Sequence, residues 1–176
     1  LIMCTGVLHH MSDPLAGWKV LRDMLVATGM MRISLYSAKA RRKIRAAREQ
    51  IEARKLTGEP GDIRRFRPWL LEESTDSYLK TLVHSDDFDS ISGCRDLLFH
   101  VQERQFTIPE IQDALDQLGL RFCGFDPANT SLLKAFAARN PRPDALRDLK
   151  KWDAFEQWHP NAFAGMYQFW CEHEST

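Results

Sequence analysis

Apolar residues fill Leu1 to Cys4 and stop at Thr5-Gly6. An unbroken run of this length reads as a strand, Leu1 to Thr5, buried on both faces of a parallel sheet. Asp13-Pro14 then announces a helix. Aspartate accepts a backbone bond at the cap, and proline loses nothing at the first helical position. Leu15, Trp18, Leu21 or Arg22, and Leu25 recur at helical spacing within Asp13 to Thr28, and Gly29 reads as a left-handed stop. Met30 to Tyr36 returns to alternation, with Ile33 and Leu35 on one face, and predicts a second strand.

The rhythm changes after Tyr36. Lys39 to Leu56 favours helix but offers only a narrow apolar stripe at Ile44, Ala47 and Ile51, and Thr57-Gly58-Glu59-Pro60-Gly61 ends it. A helix this polar is expected to cover something rather than form a core. Ile63, Phe66 and Leu70, then Tyr78, Leu79, Leu82 and Val83, predict two further helical pieces separated by Ser74-Thr75. Asp86 to Gly93 is acidic and turn-rich, and Arg95 to Glu103 fits a helix or an extended loop equally. Thr107-Ile108-Pro109-Glu110 is a capping box that opens another helix, with Ile111, Ala114, Leu115 and Leu118 as its buried face and Gly119 as its stop. Leu120 to Phe125 reads as a strand, Thr130 to Arg139 and Asp144 to Trp158 as helices, and Met166 to Cys171 as a terminal strand. The pattern thus divides into residues 1–37, a strand-helix-strand core, residues 38–105, a helical insertion, and residues 106–176, the remainder of the same core.

Composition narrows the class. The 176 residues are 44% apolar with ten Phe and five Trp, which argues for one ordered core and against disorder. No run of about 18 apolar residues is present to cross a bilayer, so no membrane partner is expected. Cys4, Cys94, Cys123 and Cys171 are scattered without a C-x-x-C pair, which fits the reduced thiols of a cytoplasmic protein better than a disulfide frame or a zinc site. Lys and Arg balance Asp and Glu at 24 each. The balance is uneven along the chain, because Lys39 to Arg67 holds eleven basic residues against four acidic ones.

Gly6-Val7-Leu8-His9-His10 followed by Asp13-Pro14 resembles the loop after the fourth strand of class I S-adenosylmethionine-dependent methyltransferases. The resemblance covers roughly the first 37 and the last 70 residues. Leu35-Tyr36-Ser37 with Ala40-Arg41-Arg42, and the run from Arg95 to Glu103, are similar to a bacterial group that carries this domain near tetratricopeptide repeats. The family's Pro-Gly-Gly before the fifth strand is replaced here by Ala27-Thr28-Gly29. The resemblance implies an α/β fold, a partial Rossmann-like methyltransferase sheet (strands four to seven) with a helical insertion serving as a lid. It also implies S-adenosyl-L-methionine as cofactor and a small-molecule or protein methyl acceptor. No glycine-rich G-x-G-x-G turn occurs in the chain, so the resemblance further implies a missing amino-terminal half of the same domain and a fragment inactive alone.

By the same resemblance, the backbone of Thr5, Gly6 and Val7 would border the methionine part of the cofactor, beyond the carboxyl end of a strand. Methyl transfer requires donor and acceptor held in line and, for some acceptors, a base to take one proton. His9 is the nearest candidate base, since imidazole titrates near neutrality, although packing of its own loop is the simpler role. Tyr36 would reach the active-site crevice and contact substrate. Arg95, His100 and Glu103 place unusual polar density on an apolar segment, either as a substrate pocket or as an ion-pair network. Residue type alone would allow His9, His10, His100 and Glu103 to hold a metal, but no spacing brings them together and no metal is expected. The alternative function is a basic helical module, Lys39 to Arg67, docking on nucleic acid or an acidic protein. Nucleic acid is the less expected partner, because only Phe66 and Trp69 interleave the charges as stacking groups.

Overall fold

A computed structural model describes residues 1–74, 76–99, 103–127 and 130–174. In chain order the elements are β1 (Ile2–Cys4), a 3-10 turn (Leu8–His10), α1 (Pro14–Met24), β2 (Met30–Leu35), α2 (Arg42–Ala53) and α3 (Pro60–Pro68). A wide turn (Trp69–Glu73), α4 (Ser77–Lys80), two 3-10 turns (Thr81–His84 and Asp86–Phe88) and α5 (Ile91–Leu98) follow. The chain continues with α6 (Ile108–Leu118), β3 (Leu120–Phe125), α7 (Thr130–Arg139), a 3-10 turn (Pro143–Arg147), α8 (Leu149–Trp158) and β4 (Tyr167–His173). They form two compact units, Leu1–Ala40 with Gln102–Thr176, and Arg41–Val101. The boundaries at 37/38 and 105/106 expected from the pattern therefore fall inside the first unit. The cause is pairing across them, because Ala38 N–H donates to the Phe106 carbonyl and Phe106 N–H to the Tyr36 carbonyl, each at 2.8 Å.

The first unit is built on a sheet of order β1-β2-β4-β3. β1 and β2 are parallel, and β4 runs antiparallel to both β2 and β3. Met31, Ile33 and Leu35 of β2 and Phe169 and Cys171 of β4 are fully buried, whereas Leu1 and Met3 are exposed, so β1 is not buried on both faces as its apolar run suggested. Asp13 caps α1 by accepting from Ala16 N–H at 3.0 Å. The helix is shorter than Asp13 to Thr28, since Leu25 already takes an extended backbone. Gly29 is no left-handed stop. It closes a turn onto the Val26 carbonyl at 2.7 Å and leaves room for Leu25, whose side chain would lie 2.7 Å from an added Cβ. Thr107 and Glu110 form the capping box at α6, and Gly119 (φ 61) ends that helix in the left-handed conformation. The helix expected from Asp144 begins instead at Leu149, where Asp148 accepts from Lys151 N–H, and a 3-10 turn occupies the preceding residues. The terminal strand is displaced by one residue at its start and extends to His173. An aromatic chain joins strands to helices. Phe125 lies 5.2 Å from Trp152, which stacks on Phe136 at 3.6 Å.

The second unit is helical, with a core of its own. Ile44, Ala47 and Ile51 of α2 are buried in one cluster with Ile63, Phe66, Leu79, Cys94 and Leu98. The polar α2 therefore helps build a core, contrary to the expectation that it only covers one. Ile91 to Gly93 is helical rather than turn, because Ser90 accepts from Gly93 N–H at 2.9 Å and starts α5 there. Arg95 to Leu98 belongs to the same helix. No helix among the described residues is long and apolar enough to cross a membrane.

Candidate functional site

The carboxyl ends of β1 and β2 lie side by side, with Cys4 opposite Ile33. Beyond them Thr5 Oγ1 and Ser34 Oγ share a hydrogen bond of 3.1 Å. Gly6 follows in the left-handed region (φ 74), and no atom lies within 4 Å of the position its Cβ would take. The backbone from Thr5 to Val7 is thus open to close approach. The chain then closes a 3-10 turn, with His10 N–H on the Val7 carbonyl (3.0 Å) and Met11 N–H on that of Leu8 (3.1 Å). Leu8 anchors this turn in the core, and His9 is wholly buried beside it. The His9 ring lies 4.0 Å from the ring of Tyr36, the first residue past β2, and 4.4 Å edge-on from His10. Burial pushes the neighbouring Cys4 thiol up, so it is a packing group here rather than a thiolate.

Thr5, Gly6, Val7, His9 and Tyr36 are therefore gathered in one place. Glu103 also belongs to the first unit, where it accepts from Gln105 Nε2 at 3.0 Å. Arg95 belongs to the second unit, where its Nε donates to the Gly58 carbonyl at 2.7 Å. His100 lies outside the described residues. Among the described residues, no group of three His, Cys, Asp or Glu side chains is placed to hold a metal ion.

Two features escaped the sequence. Arg104 N–H donates to the His9 carbonyl and Phe106 N–H to that of Tyr36, both at 2.8 Å. These two residues also line a cavity of about 170 Å³ with Pro14, Leu15 and Trp18. Nothing local marks Arg104, because its partner is distant in sequence. The second feature is a wholly buried carboxylate, Glu156, which accepts from Tyr167 (2.7 Å) and from Ser37 Oγ (2.8 Å), with Lys39 Nζ at 3.4 Å. Lys39 also reaches Asp153 at 3.0 Å. Burial, and then the Glu156 charge, raises the Tyr167 hydroxyl and keeps it a donor. The signal was present at Glu156, which lies four residues after Trp152 on the buried face of α8.

No family model matches the chain. An uncharacterized protein of Synechococcus sp. is 26% identical over 178 residues, an alignment covering 88% of this chain and 39% of that protein. Among solved structures, PKMT2 from Rickettsia typhi superposes with a TM-score of 0.64 at 14% identity, covering 98% of this chain and 34% of that one. PKMT2 in complex with AdoHcy gives 0.66 at 15% identity, covering 99% and 35%. The chain therefore shares the α/β fold of part of PKMT2, and it spans between a third and two fifths of the proteins it matches.

Proposed function

We propose that this chain is part of an S-adenosyl-L-methionine-dependent methyltransferase, with the Thr5–His10 loop forming one wall of the cofactor site. The observation that carries the reading is the open Gly6 turn at the carboxyl end of β1, directly beside His9 and Tyr36, in a fold shared with a protein solved with AdoHcy. When bound, the cofactor would supply a methyl group on a sulfonium centre. Thr5, Gly6 and Val7 would border it through their backbone, which the absence of any side chain at Gly6 permits. Tyr36 and Glu103 are the acceptor contacts proposed in the first unit.

The acceptor is a small molecule or a protein side chain. The remaining walls are assigned to an amino-terminal half of the same domain. Exposed apolar side chains support this, Leu1 and Met3 at β1, Val20 and Met24 on α1 and Val26 just after it, because such surface is suited to burial against further chain. The free thiols fit a reducing, cytoplasmic setting. His9 is read as a residue that shapes the loop, since its burial against Tyr36 and His10 suits packing better than proton traffic.

The test uses a polypeptide that includes the proposed amino-terminal half. S-adenosylhomocysteine should shift the amide signals of Thr5, Gly6 and Val7 there and bind the 176-residue chain weakly or not at all. Binding that leaves those three amides unmoved would remove the loop from the site. In the same polypeptide His9→Ala should lower cofactor affinity and thermal stability together. A hundred- to ten-thousand-fold loss of turnover at unchanged affinity would instead make His9 the base.

A further inference from the structure

Past Cys4 and Leu35 the two parallel strands lose their ladder partners, and the carbonyls of His9 and Tyr36 need donors, because buried backbone groups are nearly always paired. One extended segment supplies both. In an extended chain the N–H groups of alternate residues leave the same edge, and here those of Arg104 and Phe106 meet the carbonyls of His9 and Tyr36. Phe106 is gripped on its other side as well, since its carbonyl accepts from Ala38 N–H and it forms an isolated parallel bridge with Ser37. Its side chain is buried in the first core, and the next residue, Thr107, is fixed by the α6 capping box. The segment is thus anchored at one end to a rigid helix and reaches across to the two aromatic residues whose rings lie 4.0 Å apart.

We propose that Arg104 to Phe106 is a backbone tie that sets the His9–Tyr36 pair, making Arg104 and Phe106 positioning residues of that site. The inference rests on the reading above only for its consequence in methyl transfer; the geometry it claims is independent of any cofactor. Arg104 acts on His9 through its N–H; its exposed guanidinium lies 5.2 Å over the Phe106 ring and takes no part in that bond, so the amide is the part that cannot be replaced.

The discriminating pair is Arg104→Pro, which removes the donor, and Arg104→Ala, which keeps it. In the native polypeptide labelled at histidine Cε1, the His9 resonance carries the ring-current displacement imposed by Tyr36. Arg104→Pro should move it most of the way to the position of a solvent-exposed histidine, and Arg104→Ala should leave it within a linewidth. An unmoved signal in Arg104→Pro, or an equal movement in Arg104→Ala, overturns the tie. Should the proline variant fail to fold, amide exchange in the unaltered protein decides: Arg104 and Phe106 should be protected roughly a hundredfold over unstructured rates. Exchange at the unstructured rate would also overturn the proposal. No cofactor enters either measurement, so a failure of the methyltransferase reading leaves both outcomes interpretable.

Discussion

The two units of this chain differ in where their charged residues work. In the first, a carboxylate is taken fully inside, where Glu156 holds Tyr167, Ser37 and Lys39 behind the loop that carries Tyr36. In the second, cations bind the unit's own chain. Arg48 donates to the carbonyls of Leu97 and Leu98 at the end of α5 (3.2 Å each), and Arg54 lies 3.6 Å over the ring of Trp69. Arg67 bonds the Asp89 carbonyl and lies 5.3 Å over Phe88. Three of the eleven basic residues between Lys39 and Arg67 are therefore committed to a helix end or an aromatic face of the same unit. Trp69, one of the two aromatics that might have stacked on bases, is itself covered by Arg54. A basic run in a sequence is evidence for a phosphate-binding face only when its guanidinium groups lack such internal work, and these do not favour the docking module.

The difference should first show when each core is broken in turn. Trp152→Ala removes the stacking partner of Phe136 and a neighbour of Phe125, and should cost the first unit about 3–5 kcal/mol. Phe66→Ala should cost the second unit a similar amount. In denaturant titrations followed by amide exchange, the first variant should expose β2 and β4 amides before those of α2 and α5, and the second should do the reverse. Simultaneous exposure in both variants would show that the two cores melt as one.

A smaller effect separates the two kinds of charge. Glu156→Ala removes the buried acceptor shared by Tyr167 and Ser37, which keep their mutual bond of 3.2 Å, and takes one carboxylate from Lys39, so a loss of about 2–4 kcal/mol is expected. Glu156→Gln keeps an acceptor and should lose less than half of that. Lys43→Ala in the second unit gives up an exposed bond to Thr81 at 2.6 Å and should lower the midpoint less than Glu156→Ala does. Equal losses for Glu156→Ala and Glu156→Gln would mean that the charge, not the hydrogen bonds, holds the cluster.

Features closed within a few residues were legible in the sequence. Asp13 before Pro14, the Thr107–Glu110 box and the Gly119 stop each satisfy their backbone groups locally, and they stand where the pattern put them. The strands were legible as well, through their apolar runs, whereas the antiparallel course of the last one followed from the family resemblance and not from its own residues. Errors arose where two local solutions compete. Asp144 and Asp148 are both acceptable caps, and packing of Leu149 and Trp152 selects the second. Apolar spacing continues through Leu25, yet the backbone there is already extended. At the candidate site, the loop itself was readable from Gly6 to His10. The Arg104–Phe106 segment was not, because its partners are set by pairing across some seventy to ninety-five residues and leave no periodicity.

The smallest effect lies at the entrance to α3. Asp62 accepts from the N–H and hydroxyl of Thr57, each at 2.7 Å, and pairs with Arg65. The Thr57 backbone bond, followed by the Arg65 and Thr57 side chains, holds its carboxyl down at about 2 against an ordinary 3.8. A carboxyl lowered on folding stabilises the folded state above its unfolded value, since the unfolded chain then binds more protons. That contribution is therefore complete above about pH 4.5 and fades as the pH falls through 3.8 towards 2. Asp62→Asn should melt below the parent protein at pH 6, by a margin that is flat down to about pH 4.5 and closes by about pH 2. Carboxylates elsewhere titrate equally in both proteins and cancel in the difference. A margin that persists unchanged at pH 2 would assign the effect to the shape of the side chain, and a margin that widens on acidification would show that the carboxyl opposes folding.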